Sequence, residues 1–439
     1  MNDRVEFSAG SYKTKRRLGS TVTDTTKKSE GLAVTGLDQP AQHIVLPPNP
    51  LDLNQRCERK SVTVEQVSTR RQRREFVEFP RKIYAADENW CPPLTSEALA
   101  SIDPRKHPFY QHGAATQFLA RHGRQVVGRI LVSDDPHYNR EHDANVGCFG
   151  MFESANDPIV VGKLLEAADD WLRIRGRTSM MGPIDYSTNY QAGLLVEGFN
   201  TPQRILMNHN PRHYAELLEG WGLTKAMDLY AWWFDTRNPR IEEWARRAAR
   251  LAQRGGITVR PVRMQAFDVD LENCRQVYNE ASVKAWGFVQ MTPAEFRYLA
   301  QQLKQFAIPE LLLMAEVQGK AVGFCVTLPD VNEAIRPMGG QMTWWGLPIG
   351  LLKLMRGLKH IRTGRMIVLG VLPKYRRRGI AELMILQACQ YATNKLNYLG
   401  AELSWTYEYN DMVNRTIESV GGDLYKRFRL YGRPIACHS

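Results

Sequence analysis

The sequence lacks the features of a membrane-spanning or secreted protein. No apolar run approaches the roughly 18 to 20 residues that a helix needs to span a bilayer, and one of the strongest, 366–372, ends within a few residues. The first 20 residues are basic, but no apolar segment follows them as in a secretory signal. We therefore expect a cytoplasmic protein.

Cysteine is scarce, and the familiar catalytic motifs are missing. The 7 cysteines are odd in number, scattered and never arranged as C-x-x-C, which argues against a disulfide framework or a zinc knuckle. Neither G-x-S-x-G, the P-loop, H-E-x-x-H nor G-x-G-x-x-G occurs. His209 and His213 have metal-ligand spacing, but Pro211 interrupts the helix that this spacing requires, so we expect no metal site.

The positive charge is concentrated near the start of the chain. The net charge is +12, and residues 1–74 contribute half of it, with 14 Lys and Arg against 8 Asp and Glu. Residues 1–60 lack apolar periodicity, which predicts a disordered basic tail. Such a tail promotes solubility or attracts an anionic membrane or polymer. Nucleic acid is the least expected partner, because no RNA- or DNA-binding motif accompanies the charge.

From residue 61 the apolar pattern alternates between strand and helix, and it does so twice. Segments 117–131 and 311–328 both read as hairpins, and each is followed by further strands and helices. Asn210 and Leu217 have counterparts in Asn410 and Ile417 about 200 residues later, which favours a duplication. The alternative is that any amphipathic helix ending at glycine looks alike. The predicted division is a tail at 1–60 and two α/β halves at 61–236 and 237–439.

The segment MIVLGVLPKYRRRGIAELMILQACQYA carries the clearest chemical signal. An apolar strand leads into a basic loop with one glycine and then into a helix, so backbone N–H groups and the positive end of the helix dipole point at one place. Gly379 lets the backbone approach a phosphate, and Arg376, Arg377 and Arg378 neutralise its charge. The short pattern alone is weak, because ordinary glycine usage produces it by chance.

In its context this loop resembles the GNAT superfamily of acyl-CoA N-acyltransferases, whose pyrophosphate loop reads (Q/R)-x-x-G-x-(G/A). The resemblance implies two tandem GNAT-like lobes, each a mixed, mostly antiparallel sheet flanked by helices. It also implies that the strand before the loop binds the pantetheine arm and that strand 402–407 diverges to open an acyl slot. The residues it assigns to CoA are Leu369, Gly370, Val371, Arg376, Arg377, Arg378, Gly379, Ile380, Ala381 and Asn410.

Two departures from the family pattern affect the mechanism. The frequent general-acid tyrosine, seven residues after the motif asparagine, falls on Ile417. The half at 61–236 has no basic glycine loop, so it resembles a degenerate lobe that does not bind CoA.

Other residues must then supply the acid and the base. Glu408 is the predicted base, and Tyr407 and Tyr425 are the predicted acids; the alternatives are a solvated loop glutamate and core tyrosines. Asp185, Ser187 and Asn189 lie in a polar stretch that lines an acceptor pocket or forms an ordinary capped turn.

An insertion at about 331–365 points to a lipid-like substrate. It contains an amphipathic basic helix preceded by Trp344 and Trp345, which suits a membrane interface or a long acyl chain, unless the helix packs on the other half. Segments such as FPRKIYAADENWCPPL and GLLVEGFNTP are similar to a group of bacterial GNAT-like proteins that includes the bacterial ceramide synthases.

The expected function is transfer of a long acyl chain from acyl-CoA or acyl-carrier protein to an amine, with a sphingoid base as the specific expectation. We expect the enzyme to act at the inner face of the membrane as a peripheral protein. The alternative is a non-catalytic sensor of acyl-CoA or a scaffold.

Overall fold

The computed structural model describes residues 61–341 and 349–435. The predicted tail at 1–60 and the two tryptophans Trp344 and Trp345 lie outside these residues. Within the described residues the chain forms thirteen strands, which join in a single sheet, and thirteen α-helices.

The first half, residues 61–236, contains seven strands and six helices. In chain order these are β1 (Val62–Gln66), α1 (Arg70–Glu78), α2 (Pro80–Ile83), α3 (Thr95–Ser101), β2 (Ala114–His122), β3 (Gln125–Asp134), α4 (Pro136–Glu141), β4 (Val146–Ser154), α5 (Pro158–Ile174), β5 (Ser179–Gly182), β6 (Leu194–Glu197), α6 (Tyr214–Gly220) and β7 (Thr224–Asp235).

The second half, from residue 237 onward, follows a similar order. Its elements are α7 (Arg240–Gly255), β8 (Ile257–Pro261), α8 (Phe267–Ser282), α9 (Pro293–Lys304), β9 (Leu312–Val317), β10 (Lys320–Pro329), α10 (Asn332–Ile335), α11 (Ile349–Leu358), β11 (Thr363–Val371), α12 (Ile380–Leu396), β12 (Gly400–Tyr407), α13 (Asp411–Ser419) and β13 (Gly422–Pro434).

Local sequence explains where several elements begin and turn. Thr292 and Glu295 form a capping box that starts α9, and Asp157 caps α5 just before Pro158. The predicted hairpin turn between β2 and β3 contains Gly123 with a φ of 58°, a left-handed conformation that glycine adopts without strain.

The strand order shows the same arrangement in both halves. The path is β1-β2-β3-β4-β5-β13-β7-β12-β11-β10-β9-β8, so the five-strand series β1–β5 and β8–β12 lie at opposite ends of one sheet. Each series is antiparallel except for its last pair, β4–β5 and β11–β12, which is parallel. This confirms the predicted fold class of two tandem GNAT-like units with mixed, mostly antiparallel strands.

The two halves exchange their last strands at the centre of the sheet. β13, at the end of the chain, pairs with β5 of the first half, whereas β7 of the first half pairs with β12 of the second. The cores follow this exchange, because Trp232 on β7 packs in the second-half core and Tyr431 on β13 packs in the first-half core. The chain therefore passes from one half to the other near residue 236, but each half needs a strand from its partner.

This exchange predicts that neither half folds alone. Fragments 1–236 and 237–439, purified separately, each leave a buried strand edge unpaired and should lack a cooperative thermal transition. Mixed during refolding, the two fragments should recover one shared transition, measured by calorimetry and circular dichroism. A cooperative transition in either isolated fragment would contradict the exchanged arrangement.

Candidate active site

The parallel pair β11–β12 separates partway along its length. Pairing runs from Thr363 with Gly400 to Met366 with Leu403, and beyond this point the two strands diverge. β11 also carries a bulge against β10, because Val326 pairs with Val368 while the next residue of β10 pairs with Met366. The bulge and the divergence leave backbone groups of β11 without a partner strand on the side that faces β12.

A large cleft occupies the space between these strands. Its volume is about 1450 Å³, and its walls include residues 367–371 of β11 and 403–407 of β12. Much of the remaining wall is apolar and comes from α8, α9 and α12. The cleft extends to the first half, where residues 185–186 and 188–191 contribute to its wall. It therefore joins the predicted CoA loop to the predicted acceptor region.

The loop that follows β11 is held in place by one of its own arginines. The Arg376 guanidinium donates hydrogen bonds to the carbonyl oxygens of Val371, at 3.2 Å, and Ala281, at 2.7 Å. Arg377 and Gly379 adopt left-handed conformations, with φ of 62° and 78°. Arg376 thus fixes the loop to the end of α8, while Arg377 and Gly379 turn it sharply into α12.

The start of α12 is suited to an anion. Gly379 occupies the N-cap position and provides no side chain to bond the first N–H groups of the helix, which have no partners within the helix. Lys374 and Arg378 lie exposed over the Tyr375 ring, at 5.2 and 5.1 Å from its centroid. Exposed cations and free backbone donors therefore occupy the same rim.

The equivalent helix of the first half is arranged differently. α5 follows β4 as α12 follows β11, but the Asp157 carboxylate accepts a hydrogen bond from the Ile159 N–H at 2.8 Å. That carboxylate takes the place that a phosphate would occupy and repels an anion. The capped α5 thus agrees with the absence of a basic glycine loop in this half.

A buried charge network lies where β11 and β12 separate. The Glu402 side chain is completely buried, and its Oε1 lies 3.1 Å from Arg365 Nε and accepts a hydrogen bond from the Ser404 hydroxyl. Its Oε2 accepts a hydrogen bond from the Tyr425 hydroxyl. Arg365 and Ser404 line the cleft, so the network connects the cleft to the strand β13.

A buried lysine lies next to this network. Lys426 is fully enclosed, and its ammonium donates to the carbonyl oxygens of Thr201, at 3.2 Å, and Pro202, at 2.9 Å. Burial lowers the Lys426 pKa to about 8, and the Glu402 carboxylate opposes this shift.

Two of the three predicted catalytic residues lie outside the cleft wall. Both Glu408 oxygens are paired, Oε2 with Lys225 Nζ at 2.6 Å and Oε1 with the Asp228 N–H at 3.0 Å. Tyr425 bonds to Glu402 instead, and burial raises its pKa. Neither placement supports the predicted roles of base and acid.

Tyr407 and Asn410, by contrast, line the cleft. Burial raises the Tyr407 pKa well above its usual value. The Tyr407 ring stacks on Tyr409 with centroids 5.5 Å apart.

The predicted acceptor residues lie together where the two halves meet. Asp185 and Asn189 line the cleft, whereas Ser187 is buried beside it. Burial raises the Asp185 pKa to about 6, although its Oδ1 accepts the Met151 N–H at 2.8 Å. The Asn189 amide accepts a hydrogen bond from the Tyr278 hydroxyl at 2.9 Å, which ties this stretch to α8.

The sequence analysis missed several residues at this end of the cleft and in the charge network. His107 stacks on Tyr186 at 4.3 Å and lines the cleft, and burial lowers its pKa to about 4. Arg365 and Glu402 were also missed. The sequence did offer a signal for these two residues, because each is a charged residue within a largely apolar strand. A charged side chain in a buried strand requires a partner of opposite charge.

His209 and His213, the histidine pair considered for a metal, contact different partners. His209 Nε2 lies 2.7 Å from Asp87 Oδ2, and the His213 ring packs edge-on against Tyr214.

Comparison with known proteins shows the relationships of the chain. Residues 272–419 match the model of the acetyltransferase (GNAT) family. The chain is 35% identical over 380 residues to a Caulobacter vibrioides protein named bacterial ceramide synthase, which covers 85% of this chain and 98% of that protein. It is 33% identical over 371 residues to the protein YghO of Escherichia coli, covering 82% and 92% of the two chains.

A solved structure shares the tandem fold. It is a tandem GNAT protein from the clavulanic acid biosynthesis pathway, with a TM-score of 0.51 and 13% identity, and the match covers 86% of this chain and 100% of that one. At this identity the likeness concerns the fold alone.

The geometry of the loop predicts a specific defect in Gly379→Glu. A side chain at a φ of 78° is strained, and a carboxylate at this position opposes an anion. We expect CoA affinity, measured by calorimetry, to fall at least about tenfold. The matched control is Gly176→Glu, since Gly176 has a φ of 72° and open space around it. Equal affinity of both variants for CoA would contradict an anion site at the start of α12.

Proposed function

Since the chain belongs to the GNAT family of acyltransferases, we propose that it transfers a long acyl chain from coenzyme A to the amine of a sphingoid base. The amine nitrogen attacks the thioester carbonyl carbon, the carbon–sulfur bond breaks, and an amide and a free thiol form. The relative named bacterial ceramide synthase, which aligns with most of this chain, supports this acceptor class.

The continuity of the cleft carries the proposal. A cleft of about 1450 Å³ exceeds the roughly 300 to 1000 Å³ of ordinary small-molecule sites, and its wall is largely apolar. Its lining includes Arg376 and Arg377 of the basic loop before α12 as well as Asp185 and Asn189 of the polar stretch in the first half. This shape accommodates a pantetheine arm, an acyl chain and a second apolar substrate together.

The donor is assigned to the second half. The uncapped start of α12 and the exposed cations Lys374 and Arg378 bind the pyrophosphate of CoA. The backbone of β11 beyond Met366 binds the pantetheine arm, and one of its N–H groups polarises the thioester carbonyl. An acyl-carrier protein presents the same arm, so the two donors are distinguished by comparing their kcat/KM.

Tyr407 is the proton donor in this proposal. Burial keeps its phenol protonated at neutral pH, and its position on the diverging strand β12 faces the cleft. It is proposed to pass a proton to the thiolate as the carbon–sulfur bond breaks and to take one back from the attacking amine nitrogen, so that the proton the amine loses ends on the thiol and no phenolate persists. The Asp185 carboxylate also lines the cleft, where it is proposed to attract the acceptor amine, and burial raises its pKa to about 6.

Helix α11 is proposed to contact the membrane. Leu354 is buried and packs in the second-half core, whereas Leu352 is 64% exposed and Met355 58% exposed. The basic residues Lys353 and Arg356 are also exposed on this helix. Apolar side chains beside basic ones are typical of a helix at an anionic lipid interface. Among the described residues no helix meets the length and apolarity required to cross a bilayer.

The reaction is tested with acyl-CoAs from acetyl to palmitoyl, with and without sphinganine and liposomes. We expect free thiol and a long-chain amide to appear together in equal amounts, measured by a thiol reagent and mass spectrometry. Binding of acyl-CoA without thiol release would instead identify a sensor. Amide formed only from short acyl groups and water-soluble amines would overturn the substrate assignment.

Tyr407→Phe tests the proton donor. Loss of the phenol should lower kcat by about 10²- to 10⁴-fold while CoA affinity stays unchanged, because the residue acts on the leaving group. Steady-state kinetics and calorimetry separate the two quantities. The matched control is Tyr409→Phe, since Tyr409 stacks on Tyr407 but is 51% exposed. Equal kcat in the two variants would remove Tyr407 from the mechanism.

The double variant Leu352→Glu, Met355→Glu tests membrane contact. Replacing exposed apolar groups with carboxylates removes burial in the lipid and adds repulsion, so binding to anionic vesicles should fall at least about tenfold in a sedimentation assay. The control is Ile174→Glu, an apolar residue of α5 that is 82% exposed. A similar loss in both would show that α11 has no special part in lipid binding.

A further inference from the structure

A histidine in the cleft wall has a donor group that no residue pairs. His107 is only 3% exposed, and it lines the cleft on the side of the first half. Its Nδ1 accepts the Phe109 N–H at 3.4 Å, so the proton of the neutral ring lies on Nε2. Among the described residues His107 Nε2 makes no hydrogen bond. A buried N–H of this kind costs free energy unless water or a ligand accepts from it.

Aromatic rings hold this imidazole in one orientation. It stacks on Tyr186 with centroids 4.3 Å apart, and the centroids of the Tyr190 and Tyr298 rings each lie 5.0 Å away. Burial in this place lowers the His107 pKa to about 4, so the ring is neutral at pH 7. His107 therefore offers the cleft an uncharged N–H donor, which suits an uncharged oxygen better than a carboxylate or a phosphate.

A second unpaired polar group lies beside the imidazole. Tyr298 of α9 also lines the cleft, and its Oη is buried without a hydrogen bond of normal geometry among the described residues. Burial raises the Tyr298 pKa, and a polar contact with Gln302 opposes this rise only in part. The neighbouring Tyr190 hydroxyl differs, because it donates to Glu295 Oε1 at 3.0 Å. His107 and Tyr298 thus contribute one polar group from each half that the described residues leave unpaired.

We propose that His107 and Tyr298 bind an oxygen of the acceptor, so that the enzyme selects an amine with a hydroxyl or carbonyl group beside the nitrogen. His107 Nε2 donates to this oxygen, and the Tyr298 hydroxyl donates to it or, where it is a hydroxyl, accepts from it. The inference rests on the acyl transfer proposed above and adds the feature by which the acceptor is recognised. A simple alkylamine lacks the oxygen and leaves both groups unpaired, which costs affinity.

The position of His107 favours the acceptor over the acyl chain as the source of the oxygen. His107 stacks on Tyr186, which directly follows Asp185 in the chain. Asp185 lines the same cleft and is the carboxylate proposed to attract the amine. An amine bound there places an oxygen on a neighbouring carbon in the part of the wall that contains His107.

A comparison of acceptors at a fixed concentration of palmitoyl-CoA tests the recognition. The amines are sphinganine, its 1-deoxy analogue and 2-aminooctadecane, which has the same chain and no oxygen. We expect kcat/KM, measured by thiol release in identical detergent micelles, to fall at least about tenfold from sphinganine to 2-aminooctadecane. Equal kcat/KM for these two amines would overturn the proposal, while acyl transfer itself would stand.

Two substitutions of His107 separate the donor from the ring. His107→Gln places an amide N–H near the position of Nε2, whereas His107→Asn keeps a carbonyl that can accept the Phe109 N–H but is too short to replace Nε2. Both variants lose the aromatic ring, so they are matched in packing. We expect His107→Asn to lose the preference for sphinganine over 2-aminooctadecane and His107→Gln to retain most of it. An unchanged preference in His107→Asn would overturn the assignment.

Tyr298→Phe tests the second group and should fold normally, because it removes a buried hydroxyl that lacks a partner. The preference for sphinganine should fall about three- to tenfold, while kcat/KM for 2-aminooctadecane stays the same. The matched control is Tyr110→Phe, since the Tyr110 ring packs edge-on against His107 at 6.4 Å but lies outside the cleft lining. An equal change of the preference in the two phenylalanine variants would remove Tyr298 from the site.

Equilibrium binding distinguishes a failure of this site from a failure of the proposed function. If no amine is acylated, the acyl transfer is wrong, and calorimetry with short-chain, soluble analogues of sphinganine and of the alkylamine then decides on the site. Tighter binding of the amino diol by the wild type, lost in His107→Asn and kept in His107→Gln, would support it. Equal binding of both analogues, or a preference that follows a hydroxyl on the acyl chain of the donor, would overturn it.

Discussion

The divergence of β11 and β12 after a short parallel pairing is the constraint on which the candidate site depends. Neighbouring strands in a sheet normally hydrogen-bond each other through their backbone N–H and C=O groups. Where two strands diverge and leave a wedge-shaped gap, those hydrogen bonds are lost, so other interactions must stabilise the gap. Here the bulge in β11 and the buried pair Arg365–Glu402 lie where the strands part. The wedge leaves backbone groups of β11 without a strand partner on the side of β12, and the charge network lies at its narrow end.

The exchanged strands β7 and β13 explain why the two halves act as one body. β13 lies between β5 and β7, so the centre of the sheet contains strands from both halves in alternation. Charges reinforce the junction, since Arg204 of the first half lies 3.0 Å from Asp330 of the second and 2.7 Å from the Thr363 hydroxyl. The first half thus contributes to the wall of the cleft and supports the second half.

Elements that are continuous in the chain could be predicted from the sequence, whereas contacts between strands that are distant in the chain could not. The strand, loop and helix at 363–396 are continuous in the chain, so their order and the sharp turn at Gly379 could be predicted from the residues. The surroundings of Glu408, by contrast, could not be predicted from the neighbouring sequence. This residue follows a strand as a catalytic base might, but its partner Lys225 is 183 residues away, on the strand that the exchange brings beside it.

The same limit applies to the central strands and to the stacked pair His112 and His137, whose ring centroids lie 4.2 Å apart. Strands β7 and β13 are exchanged between the halves, and apolar patterning does not say which half a central strand joins. His112 and His137 are separated by a complete hairpin, and no short motif links them. Only the turn at residues 108–111 and the cap of α4 bring them together.

The position of β13 also affects how the protein is made. Tyr431 pairs with Gly182, so the first-half sheet requires residues about 250 positions further along the chain, and such contacts slow folding. On the ribosome the edge of β5 stays open until the last strand emerges. During that interval the nascent chain exposes an unpaired edge of the kind that aggregates, which makes it a natural client for chaperones.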